Sequence, residues 1–96
     1  MADGDKRSRL SGRLDFETVP RIWPELARRI RAADELEISL GGVKEADSAA
    51  LAMLVEGLAL ARRSGCRLRY RDIPEPLMAL ARLSHVEGLL GGENEV

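Results

Sequence analysis

Apolar residues recur along this chain at two alternating spacings, every second residue and every third or fourth, and each switch predicts a new element. Residues 7–14, RSRLSGRL, alternate with Leu10 between arginines, falter at Gly12 and resume at Leu14, which predicts a strand. In TVPRIWPELARRIRAAD, Thr18 stands as a helix cap with Pro20 in the first turn, and Ile22, Leu26 and Ile30 follow at i, i+4 and i+8. Pro24 lies beyond the first turn, where a proline loses a backbone hydrogen bond and crowds the carbonyl four residues earlier. This helix therefore kinks, or it starts at Pro24 after a turn through Trp23.

LEISL, residues 36–40, sets Leu36, Ile38 and Leu40 on one face and Glu37 and Ser39 on the other, the pattern of a strand covered on one side only. Gly41-Gly42 reads as a break. A helix follows in which Leu51, Leu54, Val55, Leu58 and Ala61 form the core stripe, and Gly65 supplies a left-handed end. CRLRYR, residues 66–71, alternates again, with Leu68 and Tyr70 facing one way and Arg67, Arg69 and Arg71 the other. After Pro74 and Pro76, a third helix uses Leu77, Leu80 and Ala81. Val86, Leu89 and Leu90 continue it or close one end of the sheet, and GGENEV reads as a frayed tail.

Strand and helix thus alternate three times with short connections, which predicts an α/β domain with a small, mostly parallel sheet and helices packed on one face. The 96 residues suit a single domain spanning residues 1–96, with residues 1–6 and 91–96 expected to be flexible. A first strand that would lie outside residues 7–14 is short or missing. The edge left there can recruit another chain, a second copy included.

Composition narrows the chemistry. The 15 basic and 16 acidic residues nearly cancel, so no overall field favours nucleic acid or an anionic membrane. Arg7, Arg9, Arg67, Arg69 and Arg71 should project from the uncovered sheet face around Glu37. Without interleaved aromatics, that face reads as a solvated surface and not a nucleic-acid platform. Cys66 and His85 are each alone in the chain, which leaves no intramolecular disulfide and too few ligands for zinc. We expect no metal or other cofactor. No run approaches the ~20 apolar residues of a membrane span and the N-terminus lacks a signal-peptide core, so the chain is expected in the cytoplasm without inserting into a membrane. Ser48, Asp47 and His85 name the members of a catalytic triad, but Asp47 adjoins Ser48 and is not placed to orient His85. No Walker loop or dinucleotide fingerprint is present, and no enzyme is expected.

The chemistry that remains lies in VKEADSAALAMLVEGLALARRSG, residues 43–65. Ser48 stands at the start of the long helix, where a hydroxyl can accept a first-turn amide and so act as its cap. It is equally a place where a phosphate would sit at the positive end of the helix dipole. Away from the core stripe, Ala49, Ala52, Met53, Glu56, Gly57 and Leu60 form a second strip with few charges. It reads either as a flank of the core or as a docking strip for a partner helix, and together with Asp47 and Ser48 it is the candidate partner-binding surface.

VKEADSAALAMLVEGL resembles the STAS domain family, in which a short loop, Asp-Ser, two small residues and an apolar helix recur. SGRLDFETV, residues 11–19, is similar to the start of the STAS subunit of Mla phospholipid transport systems, and RDIPEPLMALARLSHVEGLL to the family's last loop and helix. The resemblance covers nearly all of Leu10 to Leu90. It implies a non-enzymatic regulatory subunit that binds the cytoplasmic ABC ATPase of an Mla-type transporter and supports its assembly and activity at the inner membrane. The alternative it implies is an anti-anti-sigma factor, bound by an anti-sigma kinase and released when Ser48 is phosphorylated. Ala49 and Ala50 replace the Ser and Gly usual in that second group, and the added methyl group weakens the phosphorylation reading.

Overall fold

Leu36, Ile38 and Leu40 of one strand and Leu68 and Tyr70 of the next all turn to a single face of the sheet and are buried there, as their alternation requires. The computed structural model describes residues 6–90; the tails expected at residues 1–6 and 91–96 lie outside it except for Lys6. Its elements are β1 (Arg7–Leu14), α1 (Val19–Ala32), β2 (Glu35–Ala46), α2 (Ser48–Ser64), β3 (Arg67–Arg71), α3 (Glu75–Leu83) and α4 (Glu87–Leu90). The strands lie in the order β1-β2-β3, all parallel. Among the described residues no strand pairs with the outer edge of β1.

α2 packs against β2 and β3 and is flanked by α1 on one side and by α3 and α4 on the other. Leu14, Ile30, Leu36, Ile38, Leu40, Leu54, Leu77 and Leu90 lose essentially all contact with solvent. Each such side chain stabilises the fold by about 1.5–3 kcal/mol, which makes this cluster the main driving force. Among the described residues no helix is long and apolar enough to cross a membrane.

Two local expectations change. Gly41-Gly42 does not end β2, which runs on to Ala46. The pairing moves from Arg9↔Ser39 to Ser11↔Gly42 and from Gly12↔Val43 to Arg13↔Glu45, so β2 carries an extra residue at two bulges. Gly42 is needed because the strands approach closely: a Cβ there would stand 2.8 Å from the Ser11 Cβ. The second change concerns α1, which runs from Val19 unbroken across Pro24. Pro24 is exposed, and Leu26, Ala27 and Ile30 hold the following turns to the core.

The last helical region is broken where His85 takes a left-handed backbone (φ 62°), so Val86 opens a separate turn that carries Leu90 back to the core. Gly65 closes α2 at φ 78°, and the Cys66 amide donates to the Ala61 carbonyl at 2.9 Å, the ending expected of it.

Candidate functional site

Parallel strands joined through helices bring the helix starts to the carboxyl end of the sheet, where binding sites of α/β folds gather. Leu14 pairs with Ala46 at the ends of β1 and β2, and the Asp47 amide donates to the Leu14 carbonyl at 3.2 Å. The turn after β1 and the start of α2 are therefore held side by side.

Asp47, not Ser48, caps α2. Its backbone is extended (φ −128°, ψ −166°), and its Oδ1 accepts from the Ala49 amide at 2.8 Å. Its carbonyl accepts from the Ala50 and Leu51 amides, as a cap residue's must. Ser48 is the first residue of the helix and is exposed, and its hydroxyl has no hydrogen-bond partner among the described residues. The cap expected at Ser48 is thus corrected by one position, because the extended backbone that capping requires falls at residue 47. Asp47→Ala should lower stability by about 1 kcal/mol, a shift of roughly 4–8 °C in melting temperature for a domain this small, whereas Ser48→Ala should stay within about 0.5 kcal/mol. Thermal unfolding of the two variants checks this, and the reverse ranking would return the cap to Ser48.

The neighbouring turn, Asp15 to Thr18, is tightly bonded. Asp15 Oδ1 accepts from the Glu17 and Thr18 amides at 3.0 and 3.1 Å, and Arg13 Nε donates to its Oδ2 at 2.9 Å. Burial works against the charged form of Asp15, but the amides and Arg13 outweigh it and hold the carboxyl below its ordinary range. The Thr18 hydroxyl donates to the Arg13 carbonyl at 2.9 Å and accepts from the Asp15 amide at 2.9 Å, so it serves this turn and makes no side-chain cap for α1. On the turn stands Phe16, 71% exposed, which with Leu83 is one of two large apolar side chains left open among the described residues. Sequence reasoning passed over Phe16. Its only signal is position, an aromatic in the polar turn DFET where the helical pattern has not begun.

The strip expected along α2 divides. Ala52 and Glu56 are exposed and Ala49 is half-buried, but Met53 and Leu60 are 3% and 5% exposed and belong to the core, as does Gly57. They are unavailable to a partner in this fold. The physical reason is that α2 is covered by the sheet and by helices on both flanks, so its buried arc is wider than one stripe. Val55 and Leu58, read as core, are in turn only half-buried. The outward row is Ser48, Ala52, Val55, Glu56 and Ala59, and it meets its first charge at Glu56, which lies 3.7 Å from Arg63.

Gly57 has a different task from the one expected. The Tyr70 hydroxyl donates to the Leu54 carbonyl at 2.7 Å, and a Cβ on Gly57 would meet that hydroxyl at 2.5 Å. Burial pushes the Tyr70 phenol far above its ordinary range, so it remains a donor throughout the working pH range. His85 lies exposed at the joint of α3 and α4, with no hydrogen bond to Asp47 or Ser48 among the described residues.

A family model described as "Mlab, STAS domain" matches residues 2–91 of the chain. No curated protein matches it.

Proposed function

The chain belongs to the MlaB-like STAS domain family, and from that premise we propose that it is a non-enzymatic regulatory subunit of an Mla-type phospholipid transporter. In this reading it binds the cytoplasmic ABC ATPase, supports its assembly and activity in maintaining outer-membrane lipid asymmetry, and reaches the inner membrane only through that partner. The observation that carries the reading is that Phe16 stands exposed on the turn after β1 and that Ser48 and Ala52 stand exposed and uncharged at the start of α2, two segments tied together by the Asp47 to Leu14 bond.

A solvated helix face ordinarily carries charge from its first turn, and Asp or Glu is favoured there. This one offers a hydroxyl and small apolar groups instead, with Asp47 and Ala49 beside them. An exposed aromatic is the kind of anchor that dominates binding energy once desolvated, and small side chains at the start of α2 let a partner approach closely. Glu56 lies at the far end of the row, where a partner's basic group can meet it at the rim.

Affinity-tagged protein purified from its native cells should bring down an ABC ATPase in stoichiometric amount, and Phe16→Asp should reduce the recovered ATPase by roughly tenfold or more at an unchanged melting temperature. Recovery of an anti-sigma kinase without any ATPase would sink this reading in favour of the other. One observation favours that second reading, an anti-anti-sigma factor: the Ser48 hydroxyl is exposed and free of the cap, as a phospho-acceptor must be.

A further inference from the structure

β1 is eight residues long and its outer edge is unpaired among the described residues, although native edge strands are usually kept short. At its start Arg29 Nη2 donates to the Arg7 carbonyl at 3.3 Å. Such an edge offers a row of backbone donors and acceptors to any extended chain, and the side chains that flank it decide which chain is accepted.

Those side chains are basic. On the uncovered face, Arg7, Glu37 and Arg69 stand in one row across the three strands, and Arg9, Ser39 and Arg71 in the next. Glu37 lies 3.5 Å from Arg7 and 2.6 Å from Arg71, whose hydrogen bond chiefly holds its carboxyl below the ordinary range. Glu35 likewise draws Lys6 and Arg67, at 3.5 and 3.6 Å. In the second row the acid is Asp72, just after β3, whose carboxylate accepts from the Ser39 hydroxyl at 2.8 Å and lies on the Arg71 side, while exposed Arg9 on β1 has no ion-pair partner among the described residues. On the inner side of β1, then, a strand bearing alternate acids already neutralises Arg7. On the outer side no such strand lies among the described residues.

We propose that the outer edge of β1 receives an extended acidic segment of a protein partner as a fourth strand, with carboxylates at alternate positions against Arg9 and its neighbours. This surface runs along β1 and ends where the Phe16 turn begins, and the proposal does not depend on the assignment of the Phe16 and Ser48 site. A second copy of the chain is disfavoured as occupant. Antiparallel pairing of β1 with itself sets Arg7 opposite Arg13 or Arg9 opposite Arg9, and the odd registers turn the copy over so that its arginines fall on the apolar side. An anionic membrane would meet a face whose arginines largely share two glutamates, and it would leave the edge's backbone groups unpaired.

The test titrates 15N-labelled protein with the end-blocked peptide TEVEVET and with its basic counterpart TKVKVKT. The acidic peptide should shift the amides of Arg7–Leu14 and slow their hydrogen exchange by roughly tenfold or more. Arg9→Glu should weaken that peptide by roughly tenfold and transfer the preference to TKVKVKT, while Arg9→Gln shows the loss without the transfer. Shifts confined to α2, or none at millimolar peptide, overturn the proposal. So does pelleting with phosphatidylglycerol vesicles in place of peptide binding, or a concentration-dependent dimer whose β1 amides are protected without peptide.

Discussion

Gly57→Ala should lower the melting temperature by roughly 8–16 °C, although glycine-to-alanine in a helix interior ordinarily stabilises by about 1 kcal/mol. The new methyl group falls 2.5 Å from the Tyr70 hydroxyl, well inside contact distance. That hydroxyl cannot swing aside freely, because the ring is buried and the oxygen is fixed by its 2.7 Å bond to the Leu54 carbonyl. Relief requires moving α2 off β3, which also pulls the Leu54 carbonyl away from the Tyr70 hydroxyl. Overpacking at about 1–3 kcal/mol and a lost hydrogen bond at about 1 kcal/mol together exceed the propensity gain by about 2 kcal/mol. Tyr70→Phe removes the colliding oxygen, so the double variant should melt above Gly57→Ala alone. A single variant that melts at or above the unsubstituted domain would mean that α2 and β3 do not approach so closely.

Ser48→Glu should abolish partner binding, by roughly 100-fold or more, while leaving the melting temperature within a few degrees of its original value. The fold tolerates the charge because an acid in the first turn meets the positive end of the α2 dipole, a favourable contribution of about 0.3–1 kcal/mol. The interface does not tolerate it, since a carboxylate would be desolvated beside Asp47 with no cation supplied by this chain's outward row before Arg62 in the last turn of α2. Ser48→Ala adds no charge and breaks no hydrogen bond among the described residues, so it should bind nearly as well as the native domain. Calorimetric titration of the purified ATPase into each variant separates the two. Equal binding by Ser48→Glu would remove the start of α2 from the interface, and equal loss in both variants would make the hydroxyl itself a contact.

For the faces of the strands and the end of α2, the amino-acid sequence sufficed. Leu36, Ile38 and Leu40 against Glu37 and Ser39 determined a one-faced strand, since alternation follows from backbone geometry alone. Gly65 determined where α2 stops, because few residues other than glycine adopt its positive φ without strain. The arginines of β1 and β3 lie on the open face around Glu37 for the same reason of period.

Only the tertiary structure decided matters that depend on how many neighbours an element has. Met53, Gly57 and Leu60 fall in the core because α2 is flanked on both sides, and no pattern within α2 records what lies beside it. Gly42 sits in a strand and not at a break because Ser11 of another strand approaches it. Asp47 takes the cap from Ser48 because its amide is bonded to Leu14 at the end of β1, which holds residue 47 extended and lets the helix begin one residue later. That displacement frees the Ser48 hydroxyl at the end of β2 whose Ala46 pairs with Leu14, so the turn that carries Phe16 and the start of α2 leave the sheet from neighbouring strand ends, which only the parallel pairing of β1 with β2 brings about.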